Sequence, residues 1–327
     1  MFRWGIMSTA KIGREHVNPA IMKSSNGVIA AIASRDLDKA QALAASYNAP
    51  NAFGGYQAML DSDTVDGVYI PLTTDAHVEW AIKAADAGKH VLVEKPLALD
   101  AEEIAPVVKA RDRNGVIVSE AFMVTYHPQW AKARELIANG TIGELRQVDA
   151  AFTYFNRDPS NMRNVPALGG GVIPDIGVYP TVTTRFATGA EPKRVFATVE
   201  FDPDFGIDRY ASIRADYGSF EQTFYISTQL ANRQHIAFHG SEGFIELTAP
   251  FNSNLYEGDE LRVHNQGHNE TQTFRYTGID QYHLQVEAFV RAVEGDGTVF
   301  SLEDSIKNQK VLDAIYASGK SGDWAPV

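Results

Sequence analysis

Over residues 1–120 the chain alternates short β-branched runs with amphipathic helical runs, and that alternation leaves few folds open. Strand patterns fall at Phe2 to Met7, Val28 to Ser34, Gly67 to Ile70, His90 to Val93 and Val116 to Glu120. Helical patterns fall between them, at Lys11 to Lys23, Leu37 to Tyr47, Ala76 to Ala87 and Ala101 to Asn114, the last opened by Asp100 with Glu103 at capping-box spacing. Such an order specifies right-handed βαβ crossovers and a doubly wound parallel sheet of Rossmann type.

After residue 122 the pattern changes. A helix from Pro128 to Ile137 ends at Asn139-Gly140, a strand runs from Glu144 to Thr153, and a Gly/Pro/Asn-rich stretch from Asn156 to Gly171 precedes a helix over Asp175 to Thr188. From Lys193 to Tyr276 strand runs follow one another, which predicts a second α+β domain with a large open, mostly antiparallel sheet. Helices at Gln281 to Glu294 and Ser301 to Ser318 close the chain, the second with Ser301-Leu302-Glu303-Asp304 as a capping box. The expected division is residues 1–122 with the returning helices of 280–327, against 123–279.

Bulk properties exclude several classes. The 327 residues are 44% hydrophobic, enough for two cores, and no apolar run reaches the length of a membrane span. A net charge of -12 without a basic run speaks against nucleic acid, and the absence of cysteine removes disulfides, thiolate nucleophiles and Cys-ligated zinc. Strand character from Phe2 onward, with no charged leader, leads us to expect a cytoplasmic protein.

Three constellations could carry chemistry. In the turn after the first strand, Ser8-Thr9-Ala10-Lys11-Ile12-Gly13 keeps the small residues of a dinucleotide fingerprint but has glycine only at the last position. The second strand pattern ends in Ser34-Arg35, with Lys39 a turn later; a hydroxyl and a guanidinium suit a 2'-phosphate, so NADP is favoured. Asp36 could bind ribose hydroxyls instead, which keeps NAD as the alternative. The second constellation, Glu94-Lys95-Pro96, stands at the carboxyl end of a buried parallel strand, the edge where open α/β sheets bind ligands. The third is Gly169-Gly170-Gly171 followed by Asp175 and Tyr179, which share one face if helical. A phenol near an ammonium such as Lys95 is a proton shuttle for carbonyl–carbinol exchange, although taken alone Tyr179 could as well be a packing residue.

In order along the chain these motifs resemble the Gfo/Idh/MocA (glucose-fructose oxidoreductase and inositol dehydrogenase) family, together with Pro71-Leu72-Thr73-Thr74-Asp75-Ala76-His77, Glu120-Ala121-Phe122 and Tyr126-His127-Pro128. The resemblance implies cofactor contacts from Ser8, Thr9, Ala10, Lys11, Ile12, Ser34, Arg35, Lys39, Pro71, Leu72, Thr73, His77, Glu94, Lys95 and Pro96. It implies Lys95 beside nicotinamide and substrate, Asp175 orienting substrate and Tyr179 as acid/base. Tyr126, Tyr154, Asn156 and Arg163 are further candidates for substrate contact, Arg163 alternatively for the cofactor phosphates. Tyrosine at position 179 is similar to the aldose (xylose) dehydrogenase and dimeric dihydrodiol dehydrogenase branches, so the expected substrate is a sugar or related polyol. The open sheet is then expected to join a homodimer or homotetramer. A cofactor-binding sensor without turnover, a trans-dihydrodiol dehydrogenase and a glycosidase with internal redox are the alternatives. His264, His268, Tyr282 and His283 read as packing or surface residues, without a metal site, and Arg157 as a second loop candidate.

Overall fold

The computed structural model describes residues 1–255 and 258–327; the strand-rich stretch expected from Lys193 to Tyr276 therefore includes two residues, 256 and 257, outside the described ones. The chain divides into two compact units, residues 1–123 with 280–306, and residues 124–279 with 307–327. The strands are β1 (Phe2–Met7), β2 (Gly27–Ala33), β3 (Asn51–Phe53), β4 (Gly67–Ile70), β5 (His90–Val93), β6 (Val118–Glu120), β7 (Leu145–Phe155), β8 (Arg194–Phe201), β9 (Asp208–Asp216), β10 (Glu221–Ser227), β11 (Gln229–Gly240), β12 (Gly243–Leu247), β13 (Asp259–Asn265), β14 (Thr271–Tyr276) and β15 (Ala325–Pro326). The helices are α1 (Asn18–Lys23), α2 (Leu37–Ser46), α3 (Tyr56–Leu60), α4 (Thr74–Asp86), α5 (Ile104–Asn114), α6 (Pro128–Ala138), α7 (Val178–Thr188), α8 (Gln281–Val293) and α9 (Leu302–Ser321).

In the first unit six parallel strands run in the order β3-β2-β1-β4-β5-β6. Both faces are covered, which is why these strands are apolar almost throughout rather than alternating. Met7, Ala31, Ala33, Val68 and Val91 pack on one face with Ala81, Ala84, Ile104 and Val107 of α4 and α5. Trp4, Ile6, Ile29 and Ile32 pack on the other with Ile21 of α1 and Val286, Phe289 and Val290 of α8. The order reverses between β1 and β4, which places the ligand crevice at their carboxyl ends. Ser8 and Pro71 meet there.

Two local differences from the sequence reading have physical causes. The short pair β3 and α3 had no strand or helix signal, because Asn51-Ala52-Phe53 is too brief and too polar to show a period. Helix α5 begins at Ile104, not Ala101: Pro106 has no N–H for the carbonyl of Glu102, and Ile104 N–H and Ala105 N–H bond three residues back, to Ala101 and Glu102. The expected cap still forms, Glu103 N–H donating to Asp100 Oδ1 at 3.1 Å.

In the second unit nine strands run β14-β13-β12-β11-β7-β10-β9-β8-β15, with β10 parallel to β7 and the other pairs antiparallel. Gln222, Phe224 and Ile226 of β10 are buried while Glu221, Thr223 and Tyr225 are half-exposed, the alternation of a sheet covered on one face. Helix α7 is buried along nearly its whole length. Residues 307–327, expected with the cofactor domain, count with this unit because Ser318 Oγ accepts Ala197 N–H at 2.8 Å and β15 extends the sheet beside β8. Among the described residues no helix is long and apolar enough to cross a membrane.

Candidate active site

The turn after β1 shows how a loop at dinucleotide-fingerprint spacing manages with one glycine. Ser8 adopts φ +141°, a conformation glycine normally supplies, and its hydroxyl holds it there by accepting Ala10 N–H at 3.1 Å and donating to Pro71 O at 3.2 Å. The chain then enters a helix whose first full turn, Gly13–Val17, is a π-turn, a feature frequent at functional sites. Thr9, Ala10 and Ile12 are half-buried around this turn and Lys11 is exposed, 3.8 Å from Glu15.

After β2 the side chains sort themselves by task. Asp36 caps α2, accepting Lys39 N–H at 3.2 Å, and stands 3.5 Å from Lys39 Nζ. The backbone bond from Lys39, ahead of the lysine charge, holds its carboxyl below the usual aspartate range. Ser34 Oγ accepts Asp36 N–H at 3.2 Å, and Arg35 is exposed with Tyr56 as its hydrogen-bonding neighbour. With Asp36 committed to its own helix, this corner offers cations and a hydroxyl, a donor set that fits a 2'-phosphate.

Lys95 stands in a braced turn. Glu94 Oε1 accepts the Tyr69 hydroxyl at 2.7 Å, and Glu94 Oε2 accepts Lys95 N–H at 3.3 Å. The Lys95–Pro96 peptide is cis. Immediately after it Leu97 N–H donates to Glu120 Oε1 at 2.8 Å. Glu120, at the carboxyl end of β6, is 3% exposed, and burial pushes its carboxyl up to about 7 against the opposing pull of a Ser305 hydrogen bond and the Lys95 charge. His77 is 1% exposed; its ring nitrogens lie 2.8 Å from Pro96 O and 3.0 Å from Leu72 O. Burial lowers its pKa against the opposing pull of these two carbonyl oxygens, and the ring lies between the turn after β4 and the turn after β5. Pro71 is buried, and Leu72 and Thr73 are half-buried at the entrance to α4.

In the second unit Tyr154, Arg163 and Asp175 form one cluster. Arg163 Nε lies 2.9 Å from Asp175 Oδ1, and the Tyr154 hydroxyl donates to Asp175 Oδ2 at 2.5 Å. The Asp175 charge raises the Arg163 pKa, while burial and then the same carboxylate raise that of Tyr154. Asp175 is thereby held between a guanidinium and a phenol. Tyr179, 5% exposed, stands one turn on, packed on Phe152 and Phe251 at ring distances of 5.5 and 5.8 Å and within the electrostatic reach of Arg163.

The helix bearing these groups opens earlier than expected, as a π-turn over Ile173–Gly177 that passes into α7. Gly169 ends the 3-10 turn Pro166–Leu168 at φ +77°, and the other two glycines each serve a close approach. A Cβ on Gly170 would stand 2.7 to 2.8 Å from the carbonyl oxygens of Met162, Arg163 and Val165, and one on Gly171, at φ +134°, would stand 2.1 Å from Asp208 Oδ1. They seat the Arg163 loop against the start of the Asp175 helix, with Gly171 N–H donating to Arg163 O at 3.0 Å.

The remaining candidates have local duties. Asn156 closes its own turn by accepting Asp158 N–H at 2.9 Å, and Arg157 pairs with Asp204 at 2.6 Å. Tyr126 ends a short 3-10 turn and is half-buried. Tyr282 stacks on His16 at 4.9 Å, His283 pairs with Glu287, and His264 lies between Glu246 and Thr271. Among the described residues no group of three His, Cys, Asp or Glu side chains is placed to hold a metal ion. Three contributors escaped the sequence reading of the site, Tyr69, Glu120 and Asp208; only Glu120 left a trace there, as part of Glu120-Ala121-Phe122.

Comparison with known proteins gives these features a context. Residues 2–122 match the model of an oxidoreductase family with an NAD-binding Rossmann fold, and residues 130–246 match the GFO/IDH/MocA C-terminal domain. An uncharacterized oxidoreductase of Rhizobium meliloti is 41% identical, the match covering 100% of this chain and 99% of the relative. The D-xylose 1-dehydrogenase (NADP(+)) 2 of Haloferax volcanii is 37% identical over 98% of each chain. The crystal structure of a 3-ketoreductase from Actinomadura kijaniata, in complex with NADP and TDP-benzene, superposes with a TM-score of 0.90 at 28% identity over 97% of each chain. Matches of that identity along the full chain, on a fold with the same two sheets, make this protein an oxidoreductase of the Gfo/Idh/MocA family.

Proposed function

We propose that this protein is an NADP-preferring dehydrogenase or reductase that moves hydride between nicotinamide and a sugar or related polyol, with Tyr179 as acid/base and Lys95 assisting it. The observation that carries the reading is the engagement of both Asp175 oxygens, one by Arg163 and one by Tyr154. A carboxylate so held is a poor proton acceptor, which leaves the phenol of Tyr179, one turn on, as the proton-transferring group of this helix.

Bound NADP supplies the hydride acceptor in oxidation and, reduced, the donor in reduction. The protein's share is proton movement and orientation. Tyr179 takes the hydroxyl proton as the carbinol C–H bond breaks, or returns it as a carbonyl is reduced; the ammonium of Lys95 favours the phenolate and the developing substrate oxyanion. Asp175, fixed by its two partners, accepts hydrogen bonds from neighbouring sugar hydroxyls. Ser34, Arg35 and Lys39 hold the 2'-phosphate.

The aldose specificity rests on the xylose dehydrogenase likeness, and a cyclic sugar oxidised at its anomeric carbon is the substrate class inferred. The exposed face of the large sheet, with Thr198, Ser212, Arg214, Tyr225 and Arg233, is the surface we infer for a homodimer or homotetramer, to be read by analytical ultracentrifugation.

The test is nicotinamide absorbance with purified protein, NADP or NAD, and a panel of aldoses, polyols and dihydrodiols. Stoichiometric NADP reduction by an aldose supports the reading. Tight NADP binding with no turnover on any member would replace the enzyme by a cofactor-binding sensor.

A further inference from the structure

The helix that carries Asp175 and Tyr179 is capped from a distance. Its N-cap residue, Val172, makes no side-chain hydrogen bond. The first-turn N–H of Ile173 instead donates to Asp208 Oδ2 at 2.7 Å, and Asp208 Oδ1 accepts the Tyr316 hydroxyl at 2.9 Å. Asp208 opens β9 and is 3% exposed. Burial pushes its carboxyl up to about 6, so it is largely ionised at neutral pH and sits as an anion at the positive end of the helix. Gly171 completes the fit, since any Cβ there would collide with Asp208 Oδ1.

We propose that Asp208 is a positioning residue for the acid/base helix: gripped by Tyr316 of α9, it fixes the turn from which Asp175 and Tyr179 project. The inference rests on the reading of Tyr179 as acid/base. A helix start that slips moves both side chains together relative to the sheet, and catalysis is sensitive to such shifts while cofactor affinity, housed on other elements, is not. Asp208 therefore governs kcat through the orientation of Tyr179 without touching substrate.

The experiment compares Asp208→Ala, Asp208→Asn and Tyr316→Phe for kcat, KM for NADP, and amide exchange at Ile173 with Val68 of β4 as reference. We expect Asp208→Ala to lose kcat by roughly thirtyfold with KM for NADP within about twofold, and Ile173 to exchange faster while Val68 keeps its protection. Asp208→Asn, whose amide oxygen still accepts Ile173 N–H, recovers most of the loss; Tyr316→Phe, which keeps the cap and frees its other side, loses about fivefold. Wild-type kcat in Asp208→Ala, or a fall shared by NADP binding and Val68 protection, overturns the proposal. Should Asp208→Ala not fold, the ordering of the other two variants decides. Should the wild type turn over no sugar, the functional reading fails, and unchanged Ile173 exchange in Asp208→Asn and Tyr316→Phe would then contradict the anchor on its own.

Discussion

Arg163 holds Asp175 through a guanidinium nitrogen 2.9 Å from Oδ1, in a loop that the glycine turn seats against the start of the helix. The same guanidinium acts electrostatically on Tyr179. Removing it withdraws a positive charge that favours the phenolate. Arg163→Ala is therefore expected to move the rise of the oxidation rate to higher pH and to lower kcat roughly tenfold at neutral pH, read from a pH–rate profile. Arg163→Lys, which keeps a positive charge at that position, is expected to recover part of the shift. A profile that stays in place would show that Arg163 serves binding alone.

In the proposed reading, cofactor choice is set at the corner after β2, where Asp36 caps α2 and Arg35 is exposed. Arg35→Ala is expected to raise KM for NADP by about tenfold, the worth of roughly one charge-assisted hydrogen bond, and to leave KM for NAD nearly unchanged. Steady-state kinetics with both cofactors measure it. Equal changes for the two would place the 2'-phosphate elsewhere.

Glu120 makes stability depend on pH in a stated direction. Its folded value, about 7, lies above its ordinary 4.5. Protonated, it stabilises the fold; that contribution is complete below about 4.5 and is lost as pH rises through about 7. Glu120→Gln keeps an acceptor for Leu97 N–H without the buried charge. It is expected to hold its Tm between about pH 5.5 and about pH 8.5, while the wild type loses on the order of 2 kcal/mol over that range. Parallel calorimetric curves for the two proteins would refute this.

Gly171 and Gly88 both take positive φ, but only the first faces a neighbour at that Cβ, Asp208. Gly88→Ala is expected to cost about 1 kcal/mol of backbone strain, and Gly171→Ala at least about 2 kcal/mol more from the clash. Urea unfolding of both variants separates strain from collision.

Much of this molecule is written in its local pattern. The parallel sheet follows from β-branched runs such as Val91-Leu92-Val93 separated by helical periods, and the open sheet from consecutive strands with turn residues between them. Lys95, Asp175 and Tyr179 could be named because their spacing to Pro96 and to the glycines is local. What stayed hidden is non-local. Asp208 bonds Ile173 from 35 residues away and Tyr316 from 108, and no spacing rule links them. Ser8 in a glycine conformation was likewise invisible, since its stability comes from Pro71 O across the sheet. Asp36 looked available for ribose until its cap on α2 was seen. The π-turns at Gly13–Val17 and Ile173–Gly177 lay inside segments whose helical period was otherwise legible.

The most direct test of the account is the rate of NADP reduction with the sugar substrate in Lys95→Ala and Tyr179→Phe. Proton transfer by a positioned side chain contributes roughly a hundredfold to ten-thousandfold, so each variant is expected to fall at least about a hundredfold in kcat while still binding NADP. Turnover at the wild-type rate in either variant would contradict the assignment of Lys95 and Tyr179.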